Sequence, residues 1–357
     1  MDIDSGNDSG LRRLRGAEAA GWLLVIGITL AIVRAGKDLF VPLVIALIAV
    51  YLIKVIERWI GSVRISALRI PQPLALGLSF LTVIGLSWVL ISIIADNAMQ
   101  VAEIVPRYQG RLLKIQAELF MAAGFEQPPA MPEFFRNVDI AGLIAMVATN
   151  LAGLLKNTML VLVFAVFLLL ESRFIKAKIQ ALFPDPQRRQ RIEGIIRRVD
   201  TDIQTYFGVK TLVSLATALL SYGVMRFVGL DFAAFWALLV FILNFIPTIG
   251  SIVATILPGL LGLVQFESWR PVLVLVLGIT VIQQALGNFI EPNLMGITLN
   301  LSPLVVVMSL LLWGMLWGIV GMFLCVPITV ILVIILGNFP STRWVAVLLS
   351  KEGQTRI

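Results

Sequence analysis

The stretch PLVVVMSLLLWGMLWGIVGMFLCVPITVILVIIL, residues 303–336, carries no charged side chain over 34 consecutive positions and decides the fold class. A helix rises about 1.5 Å per residue and needs about 20 mostly apolar residues to cross a hydrocarbon core. The stretch is too long for one ordinary crossing, and Gly314, Gly318 and Gly321 fall near its middle. It is therefore either one long tilted helix or a hairpin of two short ones.

Working outward, further apolar windows lie at roughly 17–35, 38–53, 74–95, 155–171, 211–228, 232–247, 250–266 and 271–290. Of the 357 residues 59% are hydrophobic and 14% charged, and the mean hydropathy is +0.96. A water-soluble core cannot hide that much apolar surface, so the solvent is lipid. The expected fold is all-α: a polytopic transmembrane protein of about eight spans, drawn from eight to ten apolar segments, with broken or re-entrant segments in the C-terminal half. The start, LRRLRGAEAAGWLLVIGITLAIV, has the basic flank of a signal peptide but no A-x-A cleavage site, and reads as a retained first span.

Composition also excludes. No histidine is present, which removes the commonest metal ligand and general base, and with them zinc chemistry and a Ser-His-Asp triad. Cys325, the lone cysteine, sits in the apolar run GMFLCVP and reads as a small core residue. There is no GxxxxGK[ST] loop, so no ATPase is expected in the chain itself, and no HExxH or nucleophile–base pair, so an enzyme is not expected. No cofactor is implied. The net charge of +7 is concentrated in particular loops and reads as topology, with no nucleic-acid partner.

The basic clusters are Arg12, Arg13 and Arg15; Lys54, Arg58, Arg64 and Arg69; and the nine Lys or Arg of 171–210. The positive-inside rule assigns them to the cytoplasmic side of an inner-membrane protein with both termini inside. Segment 96–153, with four basic and six acidic residues, falls on the other side. Three regions follow: N-terminal spans (1–95), an extracytoplasmic amphipathic helical insertion (96–153) and a C-terminal transport region (154–357) containing the basic cytoplasmic segment 171–210. Within the insertion, Ile104, Tyr108, Leu112, Ile115 and Leu119 form one apolar helical stripe, and Ile140, Leu143, Ile144, Val147, Leu151 and Leu154 another. These stripes pack either on the protein's own spans or on partner subunits. FPDPQRRQRIEGIIRRVD reads as a helix end followed by a basic amphipathic helix lying along anionic membrane lipid.

Between Arg270 and Arg343 the one charged side chain is Glu291, in QQALGNFIEPNLMG. A carboxylate within hydrocarbon is costly and marks a functional candidate with a partner, whereas at a cytoplasmic helix end it is merely solvated. Gln284, Asn288 and Glu291, spaced four and three apart, share a helix face, and Gln283 adds another amide. Pro292 then interrupts the helix. A second break, LNFIPTIGSIVATILPG, contains Asn244, Pro247, Thr248, Gly250, Ser251 and Thr255, and is either a tight turn or a re-entrant element lining a pathway. The candidate pathway residues are Asn244, Gln283, Gln284, Asn288 and Glu291, with Pro247, Gly250, Pro292 and Gly296 shaping the backbone. The two breaks are expected to approach one another around a cavity for a small-molecule substrate. Lys210, in TDIQTYFGVKTLVSL, reads as snorkelling its ammonium to the interface in preference to forming a buried ion pair.

The segments NFIPTIGS (244–251) and QQALGNFIEPNLMGITLNLSPLVVVMSLLLWGMLWGIVGMFLCVPI (283–328) resemble the signature of the autoinducer-2 exporter family of bacterial permeases. VPLVIAL near the start and YFGVKT before a later span fit the same order. The chain departs at Ser251, where many relatives carry proline. The resemblance implies about eight spans, a homo-oligomer such as a pentamer, and export of a small polar solute such as the quorum-sensing signal autoinducer-2. It also admits sodium/proton exchange on the same fold. A hydroxyl-rich signal calls for neutral donors and acceptors, as Asn244, Gln283, Gln284 and Asn288 supply; an antiporter calls for a carboxylate, and Glu291 is the candidate. A non-transporting scaffold or sensor is the remaining alternative.

Overall fold

The structure, a computed structural model, describes residues 158–295 and 300–351 without interruption and most of 21–93. The 96–153 insertion with its two stripes, and Gly296, lie outside the described residues. Residues 27–35 are helical and lead through Gly36 into α1 (Lys37–Ser62). A two-residue ladder comes next, β1 (Arg64–Ile65) against β2 (Leu68–Arg69), antiparallel. Then come α2 (Pro73–Leu86) and the pair α3 (Thr158–Glu171) and α4 (Ile175–Leu182), bent by 59°. The rest is α5 (Pro186–Val228), α6 (Ala233–Leu243), α7 (Ile249–Gln265), α8 (Trp269–Gln284), a π-helical turn (Ala285–Ile290), α9 (Glu291–Met295), α10 (Pro303–Trp317), α11 (Ile319–Gly337) and α12 (Arg343–Leu349).

The helices turn apolar faces outward. Leu212, Leu215 and Leu219 of α5, Leu273, Leu277 and Val281 of α8, and Leu304, Met308, Leu311 and Met315 of α10 are all exposed at helical spacing. Water would penalise such stripes, and lipid does not. Among the described residues four helical runs are long and apolar enough to cross a membrane: α1, α5, Trp269–Met295 and α11; the bent α3–α4 pair, taken as one span, makes a fifth. This is a polytopic helical membrane protein.

Apolar windows expected as separate spans at 232–247 and 250–266 form shorter helices. α6, with 11 residues, is only about 16 Å long and cannot cross a hydrocarbon core alone. It folds back as a hairpin with α7. Stretch 303–336 makes the same choice: a hairpin of α10 and α11, not one tilted helix. Gly318 turns the chain at φ 64°, ψ −141°, a conformation open to glycine. At Gly321 a Cβ would stand 1.8 Å from the Trp313 carbonyl oxygen.

The basic segment differs from its expectation as well. It is no separate surface helix: Asp185 caps α5 by accepting from the Gln187 N–H, Pro186 occupies the first turn, and the helix runs on for 43 residues into the span. Gly229, at φ 76°, ends it.

Two apolar clusters flank α5. Met225, Trp236, Leu257, Leu275 and Ile279 join it to α8. Ile203, Phe207, Phe245, Leu310, Cys325 and Val330 join it to α10 and α11, so Cys325 is a buried core residue. Close approach matters in lipid, where helices lack a hydrophobic drive to associate: Gly278 brings α8 so near α5 that a Cβ would lie 2.9 Å from Val224 Cγ1.

Candidate functional site

Helix α5 carries Tyr206, Lys210 and Ser214 at spacing four, hence on one face, and all three are buried. The α6–α7 turn lies against that face: Asn244 donates through Nδ2 to Ser214 Oγ at 3.0 Å. Past Asn244 the chain tightens around Thr248, where the Ile249 N–H donates to the Pro247 carbonyl at 2.6 Å and Thr248 has φ 61°, ψ −59°. This is a γ-turn of the strained hand, rare for a β-branched residue. Gly250 does not line the site but permits the turn, since a Cβ there would meet the Leu243 carbonyl oxygen at 1.8 Å.

The third contributor is the end of α8. Proline lacks an N–H and its ring crowds the carbonyl four residues back, so Pro292 should break the helix. The chain widens instead: Ala285–Ile290 form a π-helical turn, the Glu291 N–H bonds the Leu286 carbonyl, and α9 continues to Met295. The expected interruption at Pro292 is thus a bulge in a continuous helix, a feature frequent at functional sites, and the backbone stays helical from 283 to 295. Within it the Asn288 amide donates to Gln284 Oε1.

These elements line a half-open cavity of about 640 Å³ whose lining includes Asn244, Gln283, Gln284, Asn288 and Glu291, with Pro247 and Pro292 in the wall. Both breaks therefore face one space, of a size that suits a small-molecule ligand. The C-terminal end closes one side, where the Lys351 N–H donates to the Asn300 carbonyl and the Ser302 N–H to that of Leu349, both at 3.1 Å.

Lys210 corrects the sequence expectation. It does not snorkel: its side chain is 9% exposed, and Nζ donates to both carboxylate oxygens of Glu291, at 2.7 and 2.9 Å. Nor is Glu291 a solvated helix cap, for it is 16% exposed and bound to that ammonium. The signal available in sequence is its spacing, one turn after Tyr206 and one turn before Ser214, which puts the ammonium on an interior face. Thr280 and Asn300, which also line the cavity, carry no such signal. Among the described residues no group of three or more Cys, Asp or Glu is placed to hold a metal ion.

A bundle with outward apolar faces, and a cavity between a tight turn and a helix bulge where amides and one carboxylate stand among apolar side chains, has the construction of a membrane transporter. The chain belongs to the AI-2E family of transporters: the AI-2E family transporter model matches residues 22–341. It is 31% identical over 348 residues to the AI-2 transport protein TqsA of Escherichia coli (strain K12), covering 94% of this chain and 96% of that one. A Haemophilus influenzae protein, whose name offers transport as a conjecture and no substrate, is 31% identical over 330 residues, 90% of this chain and 93% of its own. The E. coli protein YhhT, named in the same provisional way, is 28% identical over 306 residues, 85% of each. The protein is a multi-pass membrane transporter.

Proposed function

We propose that this transporter exports a small, polar, hydroxyl-bearing solute of the autoinducer-2 type across the bacterial inner membrane, with both termini cytoplasmic and no ATPase of its own. The supporting observation is the shared cavity: Asn244, Gln283, Gln284 and Asn288 present neutral donors and acceptors to one space between α5 and the two interruptions. Such groups fit hydroxyls and ring oxygens better than they fit bare ions. The name of the E. coli relative, an AI-2 transport protein, points the same way. The transporter works as a homo-oligomer, following the family. Sodium/proton exchange is the weaker reading, because Glu291, the only carboxylate lining the cavity among the described residues, is already held by Lys210.

The test uses inside-out vesicles, which expose the cytoplasmic face and turn export into uptake. Labelled autoinducer-2 should accumulate in vesicles bearing the protein, and less with Asn288→Ala or Gln284→Ala at equal protein abundance. Uptake no greater than in empty vesicles, with the protein present and folded, sinks the reading.

A further inference from the structure

Three charged side chains line the cavity among the described residues: Lys210, Glu291 and Lys351. Lys351 is exposed at the C-terminal wall, which leaves Glu291 and Lys210 as the charges of the interior. A carboxylate withdrawn from water demands a counter-charge, supplied either by an ion that comes and goes or by the protein itself. The two designs differ in what the site can do, and the geometry here distinguishes them.

The ammonium sits astride the carboxylate, within 3 Å of both oxygens, where a metal cation binding both oxygens would sit. It is delivered by a long helix packed between both apolar clusters and flanked one turn away by Tyr206 and Ser214. A sodium ion taking its place would bring the same single charge and gain nothing in sign. It would shed its water and leave a buried ammonium without its carboxylate, so the exchange is unfavourable.

We propose that Lys210 is the resident cation of this site: it occupies the position of a diffusible sodium ion on Glu291, so the native cavity binds no sodium there, and removing the ammonium converts Glu291 into a sodium site. This rests on the reading of the cavity as the transport pathway, and it makes transport through that pathway independent of a sodium gradient.

Binding of radioactive sodium to the purified, full-length protein in detergent tests this without any cargo, so it can fail while the export reading stands, and the reverse. Wild type should retain no more sodium than protein washed in choline chloride, and its unfolding midpoint should not change when sodium chloride replaces choline chloride. Lys210→Gln should bind at least tenfold more sodium than wild type, up to about one ion per chain, and gain a sodium-dependent rise in its midpoint. Lys210→Gln/Glu291→Gln should lose both. Sodium binding by wild type that disappears in Glu291→Gln overturns the proposal, and so does a folded Lys210→Gln that binds none. Should Lys210→Gln not fold, the wild-type and Glu291→Gln pair still decides: sodium retained by wild type and lost in the variant overturns the proposal, and none retained by either sustains it.

Discussion

Nζ of Lys210 and Oε1 of Glu291 lie 2.7 Å apart although 81 residues separate them in sequence, and the contact ties α5 to the first residue of α9, just past the π-helical turn, at the cavity. Breaking such a pair from one side leaves an uncompensated buried charge, a loss of about 3–5 kcal/mol. Lys210→Met should therefore lower stability by about that amount. Lys210→Met/Glu291→Gln should recover more than half of the loss, because neither charge is then stranded. Unfolding midpoints in one detergent, arranged as a double-mutant cycle, measure this. A double variant as unstable as the sum of the singles would show the two residues to be uncoupled.

Glycine positions separate sharply. An alanine Cβ at Gly250 would press on the Leu243 backbone, which cannot move without opening the α6–α7 hairpin, whereas at Gly208 in α5 nothing lies within 4 Å. Gly250→Ala should cut folded protein and flux severely. Gly208→Ala should be neutral or stabilise by up to about 1 kcal/mol, alanine being the better helix former. Size-exclusion yield and midpoint provide the comparison, and equal behaviour of the two variants contradicts the close approach.

How far the sequence can be read depends on whether a feature is local. The apolar windows report directly on lipid, so the fold class is legible, and the two interruptions show as polar residues and prolines within apolar runs. The choice at 303–336 hangs on one backbone angle at Gly318, and three glycines in a row of helical spacing are compatible with close packing as well as with a turn. Pro292 promises a break, but a π-helical turn absorbs it. Lys210 escapes a sequence reading because a lysine near a span end is usually drawn to the interface, and its partner lies on another helix beyond the reach of any periodicity.

Thr248 stores strain at the cavity wall. Its φ of 61° is a conformation that costs a non-glycine residue about 1–3 kcal/mol, partly offset by the about 0.5–1 kcal/mol that glycine loses in chain entropy. Thr248→Gly should thus raise stability by about 1 kcal/mol, while flux falls because a loosened turn no longer fixes Asn244 and Pro247 against α5. The expected pattern is a higher unfolding midpoint with lower vesicle uptake. A lower midpoint would mean that the threonine side chain, rather than the turn, determines stability there.

The length of α5 bears on sidedness. At 43 residues it spans about 65 Å, twice the hydrocarbon thickness of about 30 Å, so its basic N-terminal half must project beyond the membrane on one side. Arg191, in that half, donates to the Asn338 carbonyl at the C-terminal end of α11, where a cation also complements the helix dipole. The end of α11 thus lies on the same side as Gln190 and Ser341, both of which are exposed. By the positive-inside rule the density of arginine there makes the cytoplasm the expected side, and the acidic balance of 96–153 makes the other side the expected one for Gln127. In a Cys325→Ala background, single cysteines at Gln190 and Ser341 should stay unlabelled by an impermeant maleimide added to spheroplasts and become reactive once the membrane is opened. A cysteine at Gln127 should label in both. Labelling of Gln190 from outside reverses the orientation, and labelling of Gln190 and Ser341 from opposite sides contradicts the contact between Arg191 and Asn338 itself.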